Sequence, residues 1–307
     1  MNILVFDIGG TSIKHGLCTN GILNRVNETP TDARKGARHV METVISLIQK
    51  IDTPYEAIGI STAGQVNASC GSIIYANQNI PGYTGTKIRE ELEGLFHVPV
   101  MVENDVNAAA MGEAIYGAGK DFESFLMLTY GTGVGGAVIN NKQVYHGSSY
   151  SAGEFGAIIT HSDARLRGND YFDGCYEKYA STTGLVKMAM EYKSSLDNGK
   201  KIFASLDDPQ VIEILDHWVD EIMLGLATLT HIYNPSCIIL GGGIMVQPLI
   251  MEKIKAKKDR FIMPSFAHVK LLSAGLGNRA GLLGANYLAA EYCSTRQTAP
   301  VTVLLPE

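Results

Sequence analysis

The sequence lacks any apolar run that could cross a lipid bilayer, since such a helix needs about 20 apolar residues in succession. It lacks an excess of positive charge: 25 Lys and Arg stand against 31 Asp and Glu, a formal net charge of −6. Its first residues have neither the basic start nor the apolar core of a signal peptide. These absences argue against a membrane-bound, a nucleic-acid-binding or a secreted protein, and they predict a cytoplasmic location.

Cysteine is scarce and unpaired: five residues are scattered along the chain and form no CxxC motif. An odd number of scattered cysteines is typical of reduced thiols in a cytoplasm. Glycine is abundant by contrast, with 33 residues that fall in clusters, which indicates loops where the backbone approaches a ligand. A chain of 307 residues is long for a single core, which predicts two lobes.

The first glycine cluster lies in a predicted antiparallel meander. Residues 2–6 and 12–18 read as strands, a third strand is predicted over 22–26, and the first turn has the sequence DIGGT over 7–11. Two glycines in a tight turn let backbone N–H groups approach a phosphate, although a hairpin turn without ligand is the commoner structure. An empty turn, however, does not explain Asp7 at its start or Thr11 at its end.

The segment Glu103-Asn104-Asp105 follows a predicted buried strand, 99–102, and precedes a predicted helix, 106–116. The carboxyl end of a strand and the amino end of a helix are where open α/β sheets bind ligands. Asn and Asp are also the preferred N-cap residues, so one of the two could serve only as a cap. Both interpretations stay open at this point.

The rest of the first half predicts a helix over 33–51, a strand over 57–61, a hairpin over 66–76 and a helix over 86–96. The polar loop 77–83 between the last two is of a kind that more commonly serves only as a connection, but it contains Asn79, whose amide is a group that hydrogen-bonds sugar hydroxyls.

The second half opens on a strand, 124–130, followed by a GxGxxG sequence over 131–136. A dinucleotide site needs a helix after this motif, but residues 137–140 read as a strand, so we reject that interpretation. The strand, glycine turn and returning strand resemble those of the chain's start, which predicts an internal duplication.

Further helices are predicted over 178–192, 209–233, 246–258 and 276–292, and a strand over 237–240 leads into the third cluster, Gly241–Gly243. The predicted lobes are 1–117, completed by the helix of 276–292, and 118–275. Residues 293–307 show no clear period and are predicted to be a peripheral tail.

Taken together and in order, these motifs resemble the ROK family of sugar kinases. The resemblance rests on DIGGT at 7–11, END at 103–105, GTGVGG at 131–136, GEFG at 153–156, GCYE at 174–177 and GGG at 241–243. It implies the duplicated actin-like and hexokinase-like (ribonuclease H-like) ATPase fold, an α/β architecture of two lobes with a cleft. It also implies ATP and Mg²⁺ as cofactors.

The resemblance assigns roles residue by residue. Asp105 would be the general base that takes the proton of a sugar hydroxyl, and Asp7 would organise Mg²⁺ through water. The implied sugar ligands are Asn79, Asn104, Glu154 and Glu177. The implied nucleotide contacts are Asp7, Gly9, Gly10, Thr11, Lys14, Gly131, Thr132, Gly133, Gly241, Gly242 and Gly243.

The chain departs from the family where most members bind zinc. The histidine that usually follows the GExG segment is Ala157, and the first two cysteine positions of the usual CxCGxxGC run hold Gly168 and Asp170. A zinc site needs about four ligands, so no zinc is expected, and His161 and Cys175 are interpreted as a lone histidine and a lone thiol.

The sequence therefore predicts an ATP-dependent sugar kinase acting on a hexose or N-acyl amino sugar, with the 6-hydroxyl as the expected acceptor. A β-glucoside kinase or fructokinase of the same family, a sugar sensor without turnover and an actin-like ATPase are the alternatives. The sugar-type residues Glu154 and Glu177 disfavour the last of these. A homodimer is expected from the family, and no nucleic-acid or membrane partner is.

Overall fold

In a computed structural model of the chain, residues 1–298 are described. They separate into two compact units. The first consists of Met1–Ile115 with the described residues from Asn278 onward, and the second is Tyr116–Gly277. No helix in the described part of the chain combines the length and the hydropathy that crossing a bilayer requires.

Thirteen strands are named in chain order. They are β1 (Asn2–Ile8), β2 (Ser12–Thr19), β3 (Ile22–Leu23), β4 (Asn27–Pro30), β5 (Ala57–Thr62), β6 (Gln65–Asn67), β7 (Ser72–Tyr75), β8 (Val100–Asn104), β9 (Phe125–Tyr130), β10 (Val134–Asn140), β11 (Gln143–Val144), β12 (Cys237–Gly241) and β13 (Lys270–Ser273).

Ten α-helices are named in the same way. They are α1 (Ala37–Gln49), α2 (Ile88–Phe96), α3 (Asp105–Tyr116), α4 (Ser162–Arg167), α5 (Tyr176–Ala180), α6 (Thr182–Tyr192), α7 (Gly199–Phe203), α8 (Pro209–Tyr233), α9 (Pro248–Phe261) and α10 (Ala280–Thr298).

The two units contain the same sheet. In the first the strand order is β3-β2-β1-β5-β8, and in the second it is β11-β10-β9-β12-β13. In each, a central strand pairs antiparallel with the strand that follows it and parallel with a later one, as β1 does with β2 and β5 and β9 does with β10 and β12. The predicted internal duplication is confirmed, as is the rejection of a helix after residue 136.

Glycines let helix α10 lie directly on the first unit. A Cβ at Gly59 of β5 or at Gly112 of α3 would overlap a carbonyl oxygen of α10. A Cβ at Gly284 of α10 would likewise overlap the carbonyl oxygen of Ala108 in α3. Leu282 and Ala289 of α10 are buried against the Ile3 and Val5 side of β1. The close packing of α10 therefore depends on glycines, which lack a side chain, as much as on apolar side chains.

Several predicted boundaries are wrong for local reasons. The helix predicted over 33–51 is interrupted at Gly36, whose φ is 88°, because the Ala37 N–H donates to Pro81 O at 2.9 Å. The helix predicted over 178–192 is two helices, since Ser181 leaves α5 and caps α6 by accepting from Gly184 N at 3.1 Å.

Two further predicted boundaries, one near each end of the chain, are also wrong. The third strand predicted over 22–26 is only β3, after which Asn24 N donates to Leu17 O at 3.0 Å and the chain rejoins β2 as β4. Helix α10 extends to Thr298, so the tail predicted from residue 293 begins too early. Cys293 is buried in the same apolar cluster as Leu282 and Ala289, so the helical spacing of buried residues continues beyond residue 292. Residues 299–307 of that predicted tail lie outside the described residues.

We predict that Gly284→Ala lowers the free energy of unfolding by about 1–3 kcal/mol, the usual cost of overpacking, because its methyl group overlaps Ala108 O. Gly94→Ala is the matched control: Gly94 is exposed in α2 with open space around it, so the same change should stabilise by about 0.5–1 kcal/mol. Thermal or urea unfolding of both variants measures this. Equal effects of the two substitutions would contradict the packing described.

Candidate active site

Three strand ends of the first unit form the edge where the predicted catalytic residues lie. In the register of the parallel strands, Asp7 of β1 is level with Ser61 of β5, which is level with Glu103 of β8. One residue further, Thr62 is level with Asn104. Polar side chains from adjacent strands therefore gather at one edge of the sheet, as α/β folds do around ligands.

Asn104 caps helix α3 and orients Asp105. Its Oδ1 accepts the N–H of Val106 at 3.0 Å and that of Asn107 at 3.1 Å, groups that have no partner inside the helix. Its Nδ2 donates to Gly64 O and to Asp105 Oδ1, both at 2.9 Å. Of the two residues that the sequence left open, Asn104 is the main cap, because it accepts two helix N–H groups, whereas Asp105 Oδ1 shares only that of Val106.

Asp105 offers one oxygen of its carboxylate. Oδ1 accepts from Asn104 Nδ2 and from Val106 N at 2.9 Å, whereas Oδ2 accepts no hydrogen bond from another residue in the described chain. Burial raises the pKa of Asp105 to about 6, and the nearby carboxylate of Asp7 adds to the shift. Such a group is ionised at neutral pH and still holds a proton well, which suits a general base.

Asp7 lies at the end of β1 with one oxygen fixed. Ser61 Oγ donates to Asp7 Oδ1 at 2.7 Å. Burial raises the pKa of Asp7, against the lowering effects of that bond and of Lys14, which faces it across the β1–β2 pair. A Cβ at Gly281 of α10 would come within 3.1 Å of Asp7 Oδ1, so the glycine lets the helix pass close to this carboxylate without crowding it.

The turn between β1 and β2 presents two backbone donors. Gly9 N donates to Ser12 O at 3.0 Å. Thr31, which follows β4, fixes the turn with two hydrogen bonds: its Oγ1 donates to Gly9 O at 2.7 Å and its N–H donates to Thr11 O at 3.0 Å. The N–H groups of Gly10 and Thr11 donate to no group within residues 1–298, and both residues are exposed. Adjacent unpaired N–H groups of this kind form anion-binding concavities.

The turn between β9 and β10 repeats the arrangement in the second unit. Its carbonyls are taken by the start of α6, through Thr182 N to Gly131 O at 2.9 Å and Thr183 Oγ1 to Thr132 O at 2.8 Å. The N–H groups of Thr132 and Gly133 have no acceptor in the described part of the chain. Each unit thus carries an exposed turn with two free donors at the same place in its sheet.

Glu177, the first of the predicted sugar carboxylates, lies against this turn. Its Oε2 accepts the N–H of Val134 at 2.9 Å, and a Cβ at Gly133 would overlap that oxygen. Its side chain also passes Gly156, where a Cβ would lie 3.3 Å from it. Glu177 is thereby held between the 131–134 turn and the 153–156 segment.

The second carboxylate, Glu154, is exposed and follows Gly153, which has a φ of 92°. A Cβ at Gly136 would overlap both Gly153 O and the Phe155 ring, so β10 admits this segment only through its glycines. Ala157 ends the segment and is exposed.

The third glycine cluster has separate tasks for its members. Gly241 is the last residue of β12, and a Cβ at Gly242, whose φ is 99°, would overlap the carbonyl oxygen of Tyr130. Gly243 has open space around it and is exposed. Asn79 is exposed in its loop, and its backbone N–H donates to Asn77 Oδ1 at 3.0 Å.

His161 and Cys175, which the sequence interpretation takes as a lone histidine and a lone thiol, each have other partners within the chain. His161 Nε2 lies 3.5 Å from Glu221 Oε1, and its ring stacks on Tyr179 at 3.7 Å. Cys175 is buried, and its Sγ donates to Ala157 O at 3.3 Å. Among residues 1–298, no three His, Cys, Asp or Glu side chains are grouped as a metal site would require.

The sequence interpretation missed the residues that hold the site residues in place. Ser61 binds Asp7, Thr31 fixes the first turn and Thr183 fixes the second. Tyr83 bonds to Thr62 through its hydroxyl at 2.7 Å, and burial together with Asp105 raises its pKa to about 12. Ser61 and Thr62 could have been found, because they end the strand expected to lie between those of Asp7 and Asp105.

A sheet repeated in two units, a glycine turn with free donors in each and a partly buried carboxylate at a helix start are the features of the duplicated actin-like and hexokinase-like ATPase fold. The ROK family model matches residues 3–292, and the chain belongs to that family.

Three comparisons describe its relatives. An uncharacterized protein of Clostridium perfringens is 37% identical over 298 residues, which are 92% of this chain and 96% of that protein. The beta-glucoside kinase of Listeria innocua is 30% identical over 296 residues, 94% of this chain and 97% of its own. A ROK family glucokinase of Streptomyces griseus, solved with glucose and AMPPNP, superposes with a TM-score of 0.82 at 29% identity, covering 95% of this chain and 100% of that one.

We predict that Asp105→Asn lowers turnover but raises the unfolding temperature. Asparagine keeps the acceptor for Val106 N but cannot take a proton, so turnover at pH 8 should fall by about 10²–10⁴-fold. The native pKa of Asp105 lies above its unfolded value of 3.8, so ionising it costs stability as pH rises through about 6. The variant should therefore unfold at a temperature roughly 2–4 °C higher at pH 8, as about 1 kcal/mol would produce.

This gain in stability should shrink on going from pH 8 to pH 5, where wild-type Asp105 is largely protonated. Calorimetric scans at the two pH values and a pH profile of wild-type kcat/KM, with its acid limb near 6 rather than 4, provide the measurements. A variant that is less stable at pH 8, or one that keeps turnover within a few-fold of wild type, would contradict the assignment.

For metal, we predict no stoichiometric zinc, because positions 157, 168 and 170 hold Ala, Gly and Asp. Elemental analysis of protein purified without chelator measures this directly. About one tightly held zinc per chain would refute it and would direct attention to His161, Asp170, Asp173 and Cys175.

Proposed function

We propose that this protein is an ATP-dependent carbohydrate kinase. It transfers the γ-phosphate of ATP to a hydroxyl, the 6-hydroxyl in our proposal, of a hexose or an N-acyl amino sugar. The observation that carries the proposal is Asp105: an oriented carboxylate with a raised pKa and one open oxygen at the amino end of α3.

The proton transfer follows from the geometry of Asp105. Asn104 and Val106 hold Oδ1, so Oδ2 is the oxygen that accepts the proton of the acceptor hydroxyl. Deprotonation makes the hydroxyl oxygen a better nucleophile toward the γ-phosphorus as the bond to the β-phosphate oxygen breaks. The positive end of the α3 dipole favours the ionised form of the carboxylate.

The glycine turns are the proposed phosphate contacts. The free N–H groups of Gly10 and Thr11, and of Thr132 and Gly133, suit phosphate oxygens without needing a charged side chain. Asp7 would hold Mg²⁺ through water: it is an acidic oxygen donor with one oxygen fixed by Ser61 and Lys14 opposite. Bound Mg²⁺ would neutralise charge that develops on the phosphate oxygens.

We further propose Asn79, Glu154 and Glu177 as hydrogen-bonding partners of the sugar. The exposure of Glu154 supports its role, and the role of Glu177 is supported by Oε1, the carboxylate oxygen that is not bonded to Val134 N–H. Asn104 is proposed as an indirect partner, since all four hydrogen-bonding positions of its amide are already used within the chain. Gly242 and Gly243 are the exposed members of the third cluster, and Gly243, which has open space around it, is the proposed nucleoside contact.

A tolerance for substituents at C1 is the second part of the proposal. Ala157 stands where most family members have histidine, it is exposed, and its methyl group leaves about an imidazole's volume beside the Glu154 segment. The similarity to a beta-glucoside kinase favours the same direction. A β-glucoside or another C1-substituted sugar is therefore a candidate acceptor beside the free hexose.

We propose a cytoplasmic homodimer as the working form of the enzyme. The support for it is the family resemblance, together with the exposed apolar side chains of Leu224 and Ile232 on α8, which subunit interfaces commonly cover.

A coupled ADP-release assay over a panel of sugars tests the proposed function. With ATP and Mg²⁺, we expect sugar-dependent ADP release for at least one of glucose, mannose, fructose, N-acetylmannosamine, N-acetylglucosamine and methyl β-glucoside. Binding of a sugar without ADP release would indicate a sugar sensor, and ADP release that no sugar stimulates would indicate an ATPase with another partner. Either result would contradict the proposal.

We predict that Ala157→His narrows the substrate range. The added ring occupies the space of a C1 substituent, so kcat/KM for methyl and aryl β-glucosides should fall by at least tenfold. The free hexose gains one hydrogen bond worth about 0.5–1.5 kcal/mol, so its kcat/KM should rise by a few-fold. Ala157→Leu, which fills space without a nitrogen, is the matched control and should show only the first effect. If wild type rejects the glucosides as strongly as the histidine variant does, the tolerance at C1 does not exist.

A further inference from the structure

Glu177 has a contact that a residue used only to bind sugar does not need. Its Oε2 accepts the N–H of Val134 at 2.9 Å, and this N–H belongs to the first residue of β10, directly after the turn 131–133. A carboxylate that accepts a backbone N–H makes a stronger hydrogen bond than a neutral acceptor does. The side chain is therefore attached to the same turn that carries the free donors of Thr132 and Gly133.

The packing around Gly133 reinforces this attachment. A Cβ at Gly133 would overlap Glu177 Oε2, although the backbone of Gly133 is not in the left-handed region that requires glycine. Gly131, two residues earlier, has open space around its Cβ position. A larger residue at 133 would therefore displace the Glu177 carboxylate, whereas the turn's own conformation does not call for glycine.

The fixed contacts of the turn leave its donors dependent on Glu177. Gly131 O and Thr132 O are held by Thr182 and Thr183 of α6 on one side. On the other side, Glu177 Oε2 accepts the N–H of Val134, and inside the turn Gly131 N donates to Gly133 O at 2.9 Å. A shift of the Glu177 carboxylate would move Val134 and, with it, the directions in which Thr132 and Gly133 point their N–H groups.

We propose that Glu177 couples the sugar to the phosphate-binding turn: Oε1 accepts a sugar hydroxyl while Oε2 holds Val134 N–H. The inference rests on the proposed function and assigns Glu177 as a positioning residue for the nucleotide. A bound sugar fixes the carboxylate, the carboxylate fixes the turn, and the turn binds the phosphates of ATP more tightly. By linkage, nucleotide must then raise the affinity for sugar by the same factor.

The test is a binding cycle with AMPPNP and Mg²⁺ as the nucleotide probe and glucose and methyl β-glucoside as sugar probes. Isothermal titration gives the nucleotide Kd with and without saturating sugar. For wild type we expect the sugar to tighten nucleotide binding by about fivefold or more, within the usual range of such couplings. In Glu177→Gln, whose amide oxygen is a weaker acceptor, the ratio should fall toward one and the KM for ATP should rise by about tenfold.

Two further variants separate coupling from a structural or a purely sugar-binding role. Gly133→Ala pushes on the Glu177 carboxylate from the turn and should lose the same coupling, although it leaves both carboxylates intact. Glu154→Gln removes the other proposed sugar carboxylate; its sugar affinity should fall, but the coupling at saturating sugar should stay as in wild type. Melting temperatures of the three variants show whether each folds like wild type.

An unchanged coupling ratio in folded Glu177→Gln, or a wild-type ratio of one, overturns the inference and leaves the kinase proposal standing. An equal loss of coupling in Glu154→Gln also overturns it, because the effect would then follow sugar affinity alone. If neither sugar binds wild type and the panel gives no sugar-dependent turnover, the proposed function itself fails and the inference fails with it.

Discussion

The hydrogen bonds of the Asn104 side chain are the interaction on which the candidate site depends. One amide closes the exposed start of α3, ties it to Gly64 O and fixes Asp105 Oδ1. Asp105 Oδ1 already shares the N–H of Val106, and without Asn104 the N–H of Asn107 would compete for the same carboxylate, since an aspartate at this position is itself a good cap. A capped helix thus leaves the carboxylate a free oxygen, and that oxygen is the one that the proposed chemistry uses.

The energetic character of Asp105 follows from the same arrangement. Its burial and the carboxylate of Asp7 both disfavour its charge, and the hydrogen bonds from Asn104 and Val106 offset only part of that cost. A protein gains no stability from such a group. The cost is the usual mark of a functional site, where local structure is retained against stability because the chemistry needs a base with a pKa near neutrality.

Each unit supports its glycine turn by the same physical means. Thr31 occupies the carbonyls of the first turn, and Thr182 and Thr183 occupy those of the second, so that the turns are held by their acceptors and keep their donors. The bound state of such a turn needs little reorganisation, which is what a phosphate site requires. Duplication of the sheet explains why a glycine turn with bonded carbonyls appears at the same strand position in both units.

The sequence predicts the strands and their end residues well because these depend on local patterns. Residues 57–60 and 237–240 are apolar throughout, as strands buried on both faces must be, and the polar Ser61 and Thr62 that end the first run stand out. The break at Gly36 could not be predicted, since it depends on a partner distant in sequence, Pro81 O, which takes the N–H of Ala37. The break at Ser181 has a local signal in the serine that caps α6, although Gly131 O, distant in sequence, takes the N–H of Thr182. The contact of Glu177 with Val134 escapes a sequence reading for the same reason.

The short strand β13 and the long end of α10 were missed for different reasons. Residues 270–273 are too few and too mixed to show a period, and only pairing with β12 makes them a strand. Ala289 and Cys293 of α10 are buried against the first sheet. Both side chains are small, so they pack closely but add little to the hydrophobic pattern that predicts a helix.

Direct detection of the phosphorylated product tests the central claim, that Asp105 deprotonates a sugar hydroxyl for phosphoryl transfer. Phosphorus NMR of a reaction with ATP, Mg²⁺ and the best sugar of the panel identifies both the product and the phosphorylated oxygen. The account predicts a new sugar 6-phosphate resonance that grows as ATP is consumed and that Asp105→Asn reduces by at least a hundredfold in rate, as expected for loss of a general base. Consumption of ATP to inorganic phosphate alone, or a sugar phosphate formed equally fast by the variant, would contradict it.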